Sequence, residues 1–141
     1  MSILARWEHF EHAADIGVRG IGASKAEAFA QAALALSALI TDPALIEPRQ
    51  EVDISCTESN EELLLVDWLN ALIFEIATRK MLFGAFEVQL DGPHLRARVL
   101  GEPIQIDKHQ PAVEIKGATY TELKVCRDAS GTWVAQCVVD V

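Results

Sequence analysis

Two stretches of the chain repeat an apolar residue at the period of a buried helical face. Phe29, Ala33, Leu36 and Ile40 fall at i, i+4, i+7 and i+11 behind a capping box of Ser24 and Glu27, which predicts a first helix. It should stop near Thr41-Asp42-Pro43, because proline disfavours the helical conformation in the residue before it. Leu65, Leu69, Leu72 and Ile76 form a second stripe, widened by Trp68 and Ile73 and preceded by a capping box of Ser59 and Glu62. Elsewhere the period is two. Ile16 to Gly22 and Glu51 to Thr57 alternate as strands. Phe86, Val88 and Leu90 are joined through Asp91-Gly92-Pro93-His94 to Leu95, Ala97 and Val99, which predicts a hairpin. A second hairpin is expected from Thr119 to Arg127 and Thr132 to Asp140, turning at Asp128-Ala129-Ser130-Gly131. Its last strand sets Trp133, Ala135, Cys137 and Val139 on one face and Gln136, Val138 and Asp140 on the other. Arg6 to Phe10 mixes aromatic and polar residues without a clear period, and Gly101 to Pro111 is expected to be an exposed loop.

Both stripes need an apolar surface to cover, so the expected fold is α+β: two layers, with two long helices on one face of a largely antiparallel sheet. The two similar strand, cap and helix beginnings hint at an internal duplication. At 141 residues the chain suits one domain, spanning 1–141, with a core that needs no disulfide or metal staple.

Charge narrows the partners. With 21 acidic and 12 basic residues the net charge is −9, which argues against direct nucleic-acid binding, since that affinity comes from Lys and Arg neutralising phosphates. A basic protein surface or a bound cation is the more natural target. No apolar run approaches the roughly 18 residues of a membrane span, and the first residues hold no long apolar signal, so the expected compartment is the cytoplasm. Cys56, Cys126 and Cys137 lie in strand-like contexts without CxxC spacing and are expected to be buried thiols.

The candidate chemistry is carboxylate chemistry. Asp15 stands between small residues and Gly17 as a strand begins, and the final strand ends on Asp140 and then Val141. If folding brings these ends together, Asp15, Asp140 and an oxygen of Val141 form a hard oxygen site for a divalent cation, Ca²⁺ first and Mg²⁺ or Mn²⁺ as alternatives. The plainer expectation is that Asp15 caps a turn, Asp140 ends a strand in solvent and Asp42 caps a turn of its own. Gly17, Gly20 and Gly22 miss both nucleotide-loop spacings, and there is no HExxH, nucleophile elbow or Walker sequence.

Taken together, Phe10-Glu11-His12 with Ala14-Asp15-Ile16-Gly17, Thr41-Asp42, Asp67-Trp68-Leu69, Gly101-Glu102-Pro103 with Lys108-His109, Glu114-Ile115-Lys116 with Ala118-Thr119-Tyr120, and Val139-Asp140-Val141 resemble the archeases over nearly the whole chain. These are small acidic proteins that assist the tRNA-splicing RNA ligase. The resemblance implies a non-enzymatic activator that promotes guanylylation and multiple turnover of that ligase. It also implies a divalent cation, often Ca²⁺, at the positions matching Asp15, Asp140 and Val141. His12, Asp42, Lys108, His109 and Lys116 are candidate contacts to the partner or its phosphates. Two positions depart from the family pattern: Ala13, where Thr is common, and Thr121, where His is common. The competing expectations are a stand-alone metal-dependent phosphoesterase or nucleotide-processing enzyme, and an interaction module whose cation only ties the chain ends together.

Overall fold

The computed structural model describes residues 3–141. The elements run β1 (Arg6–His12), β2 (Asp15–Gly22), α1 (Lys25–Ile40), a 3-10 turn (Pro43–Leu45), β3 (Gln50–Thr57), α2 (Glu61–Arg79), β4 (Met81–Asp91), β5 (His94–Pro103), α3 (Ile106–His109), β6 (Gly117–Ala118), β7 (Lys124–Arg127) and β8 (Trp133–Asp140). The α+β class with two long helices and antiparallel strands is as expected. The strands are divided, however, between two sheets: one of five strands in the order β1-β2-β8-β6, with β7 also on β8, and one of three in the order β3-β5-β4.

Helix α1 begins where Ser24 accepts the Glu27 N–H at 3.1 Å, while Glu27 reaches back to the Ala23 N–H at 2.9 Å. Phe29, Ala33, Leu36 and Ile40 are all buried, and each of the larger ones contributes roughly 1.5–3 kcal/mol by leaving water. Helix α2 is capped one residue later than the Ser59 box predicts: Asn60 Oδ1 accepts the Leu63 N–H at 3.0 Å. Trp68 ties the helices together. It is fully buried, donates its indole N–H to Phe29 O at 3.0 Å and meets Phe86 edge-on at 6.3 Å.

The stretch from Arg6, in which no clear period marks a strand, is β1. It forms a hairpin with β2, Arg6 opposite Ile21 through His12 opposite Asp15. Glycines allow the close packing on both faces of β2: a Cβ at Gly20 would lie 2.0 Å from Ala28 O of α1, and one at Gly17 would lie 2.1 Å from the Phe10 ring. The two helices follow strands that differ in pairing, β2 being internal and β3 an edge, and a duplication is not established by this topology.

The Gly101 to Pro111 stretch is not the exposed loop its composition suggests. Gly101 to Pro103 end β5, Ile106 to His109 form α3, and Glu102 and His109 are buried. The expected burial of all three thiols also fails in part: Cys137 is buried and Cys56 half-buried, but Cys126 is exposed on the short strand β7.

Candidate functional site

The register of β2 with β8 runs from Gly22 opposite Trp133 to Ile16 opposite Val139. One step further sets Asp15 opposite Asp140, and directly opposed residues of antiparallel strands share a face. That face is the one away from α1, as the parity of β8 predicts. On its far side Asp140 pairs with Gly117 of β6, and its carbonyl accepts the Lys116 N–H at 2.7 Å. His12 stands opposite Asp15 on β1. Strand pairing thus brings Asp15, Asp140 and His12 to one end of the five-stranded sheet, with Lys116 joined to Asp140 by a backbone hydrogen bond and Val141 next to Asp140 in the chain.

Both acids are exposed, and neither is in an ion pair among the described residues. Like charges at directly opposed positions repel. Two further observations bear on a cation. His12 Nδ1 is buried without a hydrogen-bond partner, while Nε2 lies 3.7 Å from Glu122 Oε1. Against that, no group of three or more His, Cys, Asp or Glu side chains among the described residues is close enough to hold a metal as placed. The donor set therefore fits a hard cation in part: the two carboxylates and an oxygen of Val141 are the oxygen donors of this end of the sheet, and the imidazole of His12 is a softer donor that no cluster of three side chains yet includes.

A polar relay crosses the same face. The Arg19 guanidinium lies over the Phe10 ring at 4.5 Å, pairs with Glu8 at 2.5 Å and donates to Gln136 Oε1 at 2.8 Å. Gln136 in turn donates to Glu122 O at 3.0 Å. The hydrogen bond from Arg19 holds the Glu8 carboxyl below its ordinary range. Ala13 and Glu122, which flank the acids, both adopt left-handed backbone conformations, with φ of 52° and 54°.

The other candidates lie elsewhere. Asp42 caps the 3-10 turn by accepting the Ala44 N–H at 3.0 Å, the plainer of its two expected roles. Lys108 pairs with Glu102 at 2.7 Å and with Glu47 at 3.6 Å. His109 is 2 % exposed, so its ring is packed inward and is not a partner contact: Nδ1 accepts the Gln105 N–H at 2.9 Å and Nε2 lies 3.1 Å from Glu102. The residue that sequence reasoning passed over is Glu102. Its carboxylate is fully buried and is held down to a pKa of about 2, first by the Glu47 N–H and then by Lys108. Parity along β5 puts it in line with the exposed Arg96 and Arg98, yet it is buried, its carboxylate bonded from the Glu47 backbone and from Lys108 and His109 of α3. Thiol chemistry is disfavoured at Cys137, where burial pushes the pKa up to about 12.

The family model of the archease proteins matches residues 7–141. The chain belongs to the archease family. A protein archease of Pyrococcus furiosus is 39% identical over 98% of this chain and all of its own length, and one of Methanopyrus kandleri is 38% identical over 96% of this chain and 99% of its own. In three dimensions the chain is similar to the solution structure of a Methanobacterium thermoautotrophicum protein, with a TM-score of 0.83 and 32% identity, covering 96% of this chain and 98% of that one. An archease from Thermotoga maritima, described as a possible chaperone, shares the fold with a TM-score of 0.65, 22% identity and 94% of each chain covered. No helix among the described residues is long and apolar enough to cross a membrane.

Proposed function

We propose that this archease is a non-enzymatic activator of the tRNA-splicing RNA ligase, acting in the cytoplasm and holding a divalent cation, Ca²⁺ by preference, between Asp15, Asp140 and Val141. Family membership across residues 7–141 supports the ligase as partner. The single observation that favours the cation is the β2–β8 register, which runs to Ile16 opposite Val139 and whose continuation by one step would oppose the exposed Asp15 and Asp140. A cation there would turn their repulsion into attraction.

The cation, when bound, would supply positive charge to offset that which develops on nucleotide phosphates during guanylylation of the ligase. The chain's own residues do the rest. Asp15 and Asp140 hold the ion at the rim of the sheet, where a partner can reach it. His12 stands beside Asp15 with one ring nitrogen unpartnered, and Lys116 fixes the backbone of Asp140 through its N–H. The exposure of this rim and the chain's negative charge suit approach to a basic ligase surface better than to RNA.

The deciding experiment mixes the protein with its cognate ligase, GTP and Ca²⁺, Mg²⁺ or Mn²⁺ and follows covalent ligase–nucleotide formation. Acceleration over ligase alone, lost on chelation, is the expected result, and no acceleration would reject the reading. Nucleotide or phosphoester hydrolysis without a ligase would favour a stand-alone enzyme instead. Cation binding should also raise thermal stability, by roughly 2.7 kcal/mol at a hundredfold excess over Kd.

A further inference from the structure

We propose that Glu102 and His109 act as positioning residues for the Asp140 rim, clamping one end of a strap, residues 104–116, whose other end holds Asp140. The proposal rests on the reading of Asp140 as a cation ligand, and it assigns that site a control point distant in sequence.

Glu102 is a carboxylate with no exposure at all, so every bond it makes is made inside the protein. It accepts the Glu47 N–H at 2.9 Å and the Lys108 ammonium at 2.7 Å, with Gln105 Nε2 at 3.4 Å. His109 completes the clamp. Because its Nδ1 accepts the Gln105 N–H, its proton resides on Nε2, which donates to Glu102 at 3.1 Å. Thr41 Oγ1 donates to His109 O at 2.6 Å and joins the clamp to the end of α1. One buried acid therefore ties the approach to β3, the end of β5 and helix α3 together.

Beyond the clamp the backbone has little support of its own. Residues 111–116 form no helix or strand. Their backbone is anchored where the Ala112 N–H donates to Ile40 O at 2.8 Å and where the Lys116 N–H donates to Asp140 O at 2.7 Å. Ile115 is buried between these points. Gln110, which closes α3, has a left-handed φ of 46°, so the strap leaves the clamp in a conformation that the clamp must impose. Releasing Glu102 lets α3 move, and the slack reaches the Lys116 bond that fixes Asp140.

Amide hydrogen exchange on the metal-free full chain tests this directly. Glu102→Gln keeps the shape but removes the charge that Lys108 and His109 address. It should accelerate exchange at Lys116 by roughly tenfold more than at Val52 and Ile54 of β3, which report global opening. His109→Gln, whose amide can accept from Gln105 and donate to Glu102, should keep Lys116 protected, whereas His109→Ala should not. Equal acceleration at Lys116 and β3, or none, overturns the clamp. If Glu102→Gln does not fold, Thr41→Val carries the same comparison. A parallel titration with Ca²⁺ and Mn²⁺ separates the two ideas. Weaker binding by Glu102→Gln than by the unsubstituted chain supports positioning, and unchanged binding despite a loosened Lys116 overturns it. If the unsubstituted chain binds neither ion, the proposed cation site falls while the clamp is judged by exchange alone.

Discussion

Asp15 and Asp140 gain their interest from being opposed on neighbouring strands and unpaired, a placement that costs the fold a little in the absence of a cation. Asp140→Asn should therefore leave the metal-free protein as stable as before or more stable, by roughly 0.2–1 kcal/mol, in thermal melts. Calorimetric titration of the same variant should show cation affinity reduced. A fall in metal-free stability would mean that Asp140 is structural. Asp15 was legible as a candidate because an acid between small residues and Gly17 at a strand start is conspicuous. Glu102 was not, since the groups that bond it are the Gln105, Lys108 and His109 side chains and the Glu47 backbone N–H, which no local pattern connects to it.

At the scale of elements, both helices follow their stripes, and the error in α2 is one of capping. Asn60→Ala should cost roughly 1 kcal/mol in chemical denaturation, while Ser59→Ala should cost almost nothing. The reverse order would restore the Ser59 box as the helix start. The contact of β2 with α1 is tighter than periodicity could show. A methyl at Gly20 would meet helix backbone, not a yielding side chain, so Gly20→Ala should destabilise by roughly 3 kcal/mol and displace α1. Chemical shift changes centred on Ala28 and Ala32 would report that displacement; a variant as stable as the parent with unchanged shifts would show the packing to be looser. The division of the strands into two sheets was also hidden, because alternation marks a strand without naming its partner.

For the molecule as a whole, the Glu102 clamp makes stability depend on acid in a defined window. Its carboxyl has a folded pKa of about 2 against an ordinary glutamate value of 4.5, so the folded state favours the ionised form. That contribution is fully present above pH 4.5 and is lost as pH falls from there toward about 2. The urea midpoint should decline across this window, and Glu102→Gln, already lower at neutral pH, should decline less steeply. Parallel curves for the two proteins would show that other carboxylates govern acid unfolding.

By itself the sequence determined the α+β class, both helical faces, the β4–β5 hairpin, the β7–β8 hairpin over Lys124 to Arg127 but not over residues 119–123, and the acids near the ends of the chain. These follow from local period and capping, which act between residues a few positions apart. Tertiary structure alone decided that β2 and β8 lie side by side, that His109 turns inward and that Glu102 is buried. Each depends on which segments return to lie beside one another, and loop closure over such separations leaves no mark in a local pattern.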